Sequence, residues 1–149
     1  MKVAVLMGSA SDREVMHKAV ELLERFGVEA EEHVLSAHRT PEAVAELARG
    51  ARERGYGVLI CGAGMAAHLA GAVAAQTTLP VIGVPLASGP LNGVDALYAT
   101  VQMPTGIPVA TVAVNGAANA GILAVEVLAV GDDELAARLA TYRKELAAK

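Results

Sequence analysis

Apolar runs of strand length alternate with helical repeats along the whole chain, and no other feature so limits what it can fold into. Lys2–Met7 is a short valine-containing run that stops at Gly8. Apolar residues then recur at Val15, Met16, Ala19, Leu22, Leu23 and Phe26, which is helical spacing, and Gly27 ends the helix. The same pattern predicts a half-polar strand at Glu29–Leu35 and a helix at about Pro41–Arg54. Strands are expected at Tyr56–Cys61, Val81–Val84 and Val109–Val112, with helices at Met65–Gln76 and Val94–Val101 between them. Two further helices, Ala117–Val130 and Asp132–Ala148, close the chain.

A repeated strand–helix order requires a parallel sheet covered on both faces. Four of the strands are almost wholly apolar, as buried parallel strands are, whereas the second carries Glu29, Glu31, Glu32 and His33 and belongs at an edge. The expected fold is therefore α/β: a three-layer, flavodoxin-like, five-stranded parallel sheet with helices on both faces and a C-terminal helix. No linker, charge run or internal repeat divides it, so residues 1–149 read as one domain.

Composition removes several function classes. The net charge is −4 and aromatics are 3% of 149 residues, so there is no basic surface interleaved with rings to hold nucleic acid. No uninterrupted apolar stretch reaches the roughly 18 residues of a membrane span. The single Cys61 excludes an intramolecular disulfide and suits a reducing cytoplasm, and it reads as a small core residue. His17, His33, His38 and His68 lack metal-ligand spacing, and no metal is expected. The 54% hydrophobic content is dominated by 31 alanines, so the helices can pack closely.

Ligands of open parallel sheets bind beyond the carboxyl ends of the strands. Strand one leads into Gly8-Ser9-Ala10-Ser11-Asp12 at a helix start, where hydroxyls and backbone N–H groups can hold an anion. A capping box from Ser11 to Glu14 would explain the same residues without a ligand. Asp12 would repel phosphate and suits neutral hydroxyls, such as those of a ribose. Strand two ends in Ser36-Ala37-His38-Arg39-Thr40-Pro41. Thr40 as helix cap and Pro41 as first helical residue account for the turn but leave His38 and Arg39 unexplained. An imidazole can move protons near neutrality, and a guanidinium can grip phosphate with paired donors.

Strand three ends in Gly62-Ala63-Gly64-Met65-Ala66-Ala67-His68-Leu69, read as a glycine-rich turn that lets a ligand approach the backbone. The dinucleotide fingerprint it loosely matches lacks the acidic ribose partner, since Thr78–Ser88 contains no Asp or Glu. His68 either reaches the same ligand or is simply satisfied on its helix. The Pro/Gly-rich segments Gly83–Leu91 and Gln102–Pro108 read as lids or subunit contacts, and the small-sided start of the Ala117 helix invites close packing by another helix.

These segments, in this order and spacing over nearly the whole chain, resemble the class I PurE family, the N5-carboxyaminoimidazole ribonucleotide mutases of purine biosynthesis. The likeness rests on Gly8-Ser9-x-Ser11-Asp12, SAHRTP at Ser36–Pro41, Gly62–Leu69 and VQMP at Val101–Pro104, of which SAHRTP and the AAHL at Ala66–Leu69 are together the most specific. Met65 stands where that family usually has glycine, and Ala70 where it usually has proline.

The resemblance implies an isomerase that moves a carboxylate from the exocyclic nitrogen of the substrate to ring carbon 4, without metal, nucleotide or biotin cofactor. It implies that His38 moves the protons. Ser9, Ser11, Ser36 and Arg39 would hold the phosphate, and Asp12 the ribose. Ala37 would contact the substrate, and Gly64, His68 and Leu69 would line the pocket, with His68 positioning. It further implies a homo-octamer whose sites neighbouring subunits complete. The competing expectations are a direct aminoimidazole ribonucleotide carboxylase using free CO2, and a non-catalytic nucleotide-binding module.

Overall fold

The apolar runs pair in parallel because helices carry the chain back to the same end of the sheet each time. The computed structural model describes residues 1–148. Its strands are β1 (Lys2–Met7), β2 (Ala30–Val34), β3 (Tyr56–Gly64), β4 (Val81–Leu86) and β5 (Ala110–Thr111). The helices are α1 (Arg13–Arg25), α2 (Pro41–Gly50), α3 (Leu69–Ala74), α4 (Val94–Val101), α5 (Ala117–Ala129) and α6 (Asp133–Ala147). The strands form one sheet in the order β2-β1-β3-β4-β5, the flavodoxin-like arrangement expected. The charged strand β2 is at an edge.

Alternate residues of β1, β3 and β4 feed two cores. Val3, Val5, Met7, Val58, Ile60, Ile82 and Val84 face α1 and α5, with Met16, Leu23, Ala120 and Val125 packed among them. Ala4, Leu6, Leu59, Cys61 and Val81 face α2 and α3, against Val44, Leu47, Leu69 and Val73. Each large apolar side chain so buried contributes roughly 1.5–3 kcal/mol. α6 adds Leu135 to the first core, and its Tyr142 meets the Phe26 ring edge-on at 5.4 Å.

Four local expectations change. β3 and β4 run on to Gly64 and Leu86, because Ala63 pairs with Pro85 and Gly64 with Leu86. β5 pairs only with Ile82 and Gly83, so β4 is an edge from Val84 onward, where proline is tolerated. Met65–His68 is a turn rather than the first part of a helix, and α2 ends at Gly50 rather than Arg54. As expected, another helix packs closely on the small-sided start of α5: Ala117, Ala120 and Ala124 are fully buried. A Cβ at Gly121 would stand 2.8 Å from the Ala19 carbonyl, which shows how closely α1 and α5 approach.

Candidate active site

In this strand order the chain passes from β1 to β2 on one side and then crosses to β3 on the other, and this reversal opens a crevice between β1 and β3. A cleft of about 540 Å3 occupies that position. It is lined by every residue singled out from the sequence: Ser9, Ser11, Asp12, Ser36, Ala37, His38, Arg39, Gly64, His68 and Leu69.

After β1 the chain makes one 3-10 turn, Ala10–Asp12, before α1. The capping box here joins Ser9 to Asp12, not Ser11 to Glu14. The Ser9 N–H donates to Asp12 Oδ2 at 3.0 Å, and the Ser11 N–H donates to Ser9 Oγ at 3.3 Å. The two serine hydroxyls lie 2.9 Å apart, so both face one spot. Burial pushes the Asp12 carboxyl above its ordinary value, opposed by the Ser9 N–H and by the charge of Arg39.

After β2, Thr40 closes the loop instead of capping α2 through its side chain. Its Oγ1 accepts from the Ser36 N–H at 2.9 Å and donates to the Ser36 carbonyl at 3.1 Å. Ser36 Oγ accepts from the Arg39 N–H at 3.2 Å. The Arg39 guanidinium reaches back to β1 and donates to the Gly8 carbonyl at 2.7 Å. One guanidinium carries five N–H donors, so this anchor leaves others for an anion beside Ser9 and Ser11.

After β3, the turn Met65–His68 is held by hydrogen bonds from Ala67 N–H to the Met65 carbonyl (2.9 Å) and from His68 N–H to the Ala66 carbonyl (2.8 Å). Met65 has φ 54°, a left-handed conformation that costs a non-glycine residue about 1–2 kcal/mol. The turn carries His68 to His38: His68 Nδ1 and His38 Nε2 are 2.7 Å apart, with the rings edge to face at 82°. Such a bond uses one N–H and one lone pair, so it orients both rings and fixes which nitrogen of His38 faces its partner. Both histidines are exposed, and the single chain leaves the cleft open to water.

The profile of a family described as AIR carboxylase matches residues 2–149. This chain belongs to the AIR carboxylase family. It is 59% identical to the N5-carboxyaminoimidazole ribonucleotide mutase of Aquifex aeolicus, over 92% of this chain and 82% of that protein. It is 55% identical to the mutase of Mycobacterium tuberculosis, over 98% of this chain and 84% of that one. The crystal structure of Treponema denticola PurE superimposes with a TM-score of 0.86 at 30% identity, covering 97% of this chain and 90% of the other.

Within this AIR carboxylase family fold, Ser88 is the cleft residue that the sequence pattern failed to single out. It follows β4, and ending that strand two residues early hid it in a long loop; a hydroxyl at the carboxyl end of a parallel strand was the available signal. A Cβ at Gly64 would collide with Ser88 Oγ, which makes Gly64 a contact point between β3 and the loop after β4. The remaining histidines lie outside the cleft: His17 Nδ1 pairs with Glu32 at 3.0 Å, and His33 Nε2 with the Tyr56 hydroxyl at 3.1 Å. Cys61 is buried and its thiol is pushed far up by that burial, which leaves it a core residue and not a nucleophile.

Proposed function

We propose that the cleft converts N5-carboxyaminoimidazole ribonucleotide to 4-carboxyaminoimidazole ribonucleotide, the mutase step of purine biosynthesis. The protein is an isomerase of this pathway, and the observation that carries the assignment is 52–59% identity to mutases over most of the chain. The family description names a carboxylase, but those bacterial and archaeal relatives carry the mutase name.

The reaction is a decarboxylation followed by recapture. The bond between the exocyclic nitrogen and the carboxylate breaks, its electron pair stays on nitrogen, and that nitrogen takes a proton from His38. Carbon 4 then attacks the released CO2, and His38 takes the proton that carbon 4 gives up. The imidazole ends as it began, so no other acid or base is consumed. A residue in this role supplies about 10²–10⁴-fold in rate. His68, bonded to His38, positions the ring.

The remaining contacts follow the same logic. Ser9, Ser11, Ser36 and Arg39 hold the phosphate; Asp12, which has acceptor sites beyond its bond to Ser9, takes ribose hydroxyls. Ala37, Gly64 and Leu69 wall the base. No metal or organic cofactor enters these steps.

Free CO2 must be kept from water, and one chain alone leaves this cleft open. Assembly into a homo-octamer in the cytoplasm would complete the wall. Val94, Tyr98 and Val101 support such assembly: on α4 they repeat at helical spacing as an exposed apolar stripe, which exposed Leu91 extends into the loop that bears Ser88. The 1–149 chain acts as a single catalytic domain in this reading.

The deciding assay supplies purified protein with each ribonucleotide, with and without bicarbonate. Conversion of the carboxyamino substrate without bicarbonate is the expected result. Bicarbonate-dependent consumption of uncarboxylated aminoimidazole ribonucleotide, with no conversion of the carboxyamino form, would make it the direct carboxylase.

A further inference from the structure

In the proposed mutase every part of the substrate has a partner in the cleft except the group that is transferred. Ser9, Ser11, Ser36 and Arg39 serve the phosphate, Asp12 the ribose, and His38 with His68 the protons. Of the other described residues that line the cleft, only Ser88 has a polar side chain. The hydroxyls of Ser9, Ser11 and Ser36 take part in hydrogen bonds within their own loops. Ser88 is exposed, and its hydroxyl has no such bond among the described residues.

Its position is nevertheless set from two sides. Just before it, the Ala87 N–H donates to Asn115 Oδ1 at 2.9 Å, and the Asn115 N–H donates to the Pro85 carbonyl at 2.8 Å. On its other side, Ser88 Oγ lies in the space that a side chain at Gly64 would take. Gly64 ends β3, next to the turn that carries His68 to His38. The free hydroxyl therefore stands at the end of the cleft that walls the base.

Resting on the mutase reading, we propose that Ser88 is a specificity-determining residue: its hydroxyl donates to the carboxylate that substrate and product both carry. The cleft thereby favours carboxylated ribonucleotides over the uncarboxylated one. A carboxylate only accepts hydrogen bonds, so it requires a donor, and the Ser88 O–H is the side-chain donor left over. A neutral donor also suits a group that must depart. As CO2 forms, the negative charge of the carboxylate passes to the nitrogen. A cation gripping that carboxylate would stabilise the starting state against the change.

The test measures binding in the His38→Asn background, where the carboxylate stays in place. The full chain and its Ser88→Ala and Ser88→Cys forms are titrated calorimetrically near neutral pH. One ligand is the carbon-4-carboxylated ribonucleotide and the other is uncarboxylated aminoimidazole ribonucleotide. Ser88→Ala should weaken the carboxylated ligand about tenfold or more, as expected for a hydrogen bond to an ionised group, and the uncarboxylated one less than about twofold. Ser88→Cys keeps the size but offers only a weak donor, and it should match Ser88→Ala. Unchanged affinity for the carboxylated ligand in Ser88→Ala, equal losses for both ligands, or full affinity in Ser88→Cys would overturn the role of Ser88 alone. Failure of the unaltered protein to convert the carboxyamino substrate would overturn the mutase reading, and this proposal with it.

Discussion

His38 and His68 are 30 residues apart in sequence and 2.7 Å apart in space, Nε2 to Nδ1. The contact joins the loop after β2 to the turn before α3, across the carboxyl end of β1. It gives each ring a partner that sets its orientation.

Removing each ring separates the two roles. His38→Asn should retain fold and ribonucleotide binding but lose at least about 100-fold in turnover. His68→Ala removes one hydrogen bond from His38 and should lose roughly 10-fold. Steady-state kinetics with far-ultraviolet dichroism would check both, and near-normal turnover in His38→Asn would sink its assignment.

Gly64 touches Ser88 closely enough that any side chain must displace it. Gly64→Ala should cost about 1–3 kcal/mol by overpacking. Adding Ser88→Gly should restore most of that loss in urea denaturation. Equal losses in the single and double variants would show that the strain lies elsewhere.

Asp12 tests function against stability. Its folded pKa is raised above 3.8, chiefly by burial, so the folded state binds this proton more tightly than the unfolded chain does. The resulting stability is present below 3.8 and is lost as pH rises through the raised value. Asp12→Asn cannot ionise, so its stability relative to the unaltered protein should climb across that window and then level off. Denaturation midpoints from pH 3 to 8 would show the climb, about flat at the upper end. The same variant should bind the ribonucleotide more weakly, and a falling relative stability would contradict the sign.

The exposed stripe on α4 gives the assembly a direct test. Tyr98 is 62% exposed, and Tyr98→Arg should shift the solution mass from that of the proposed octamer toward the 15.2 kDa of one chain. Light scattering during size-exclusion chromatography reads the mass, and turnover should fall with it. An unchanged mass would remove this face from the contact.

Much of the architecture was legible because it depends on local pattern. The charges of Glu29, Glu31, Glu32 and His33 mark β2 as an edge, and the valines and leucines of β1 and β3 mark buried strands. Val94–Val101 was legible to the residue as α4. Breakers misled where pairing overrode them: Gly62, Gly64 and Pro85 look like strand ends but continue β3 and β4.

The sequence by itself determined a parallel sheet, its edge strand, and the polar residues clustered at the strand ends, since periodicity and loop chemistry are local properties. Only the tertiary structure decided that His38 meets His68, that Asp12 caps Ser9, that Ser88 stands against Gly64 and that Met65 turns left-handed toward Gly89. Apart from the Asp12 cap, these relationships join segments distant in the chain. They are set by how strand registers and loop closures bring the ends of β1 to β4 together, and no short-range pattern encodes that.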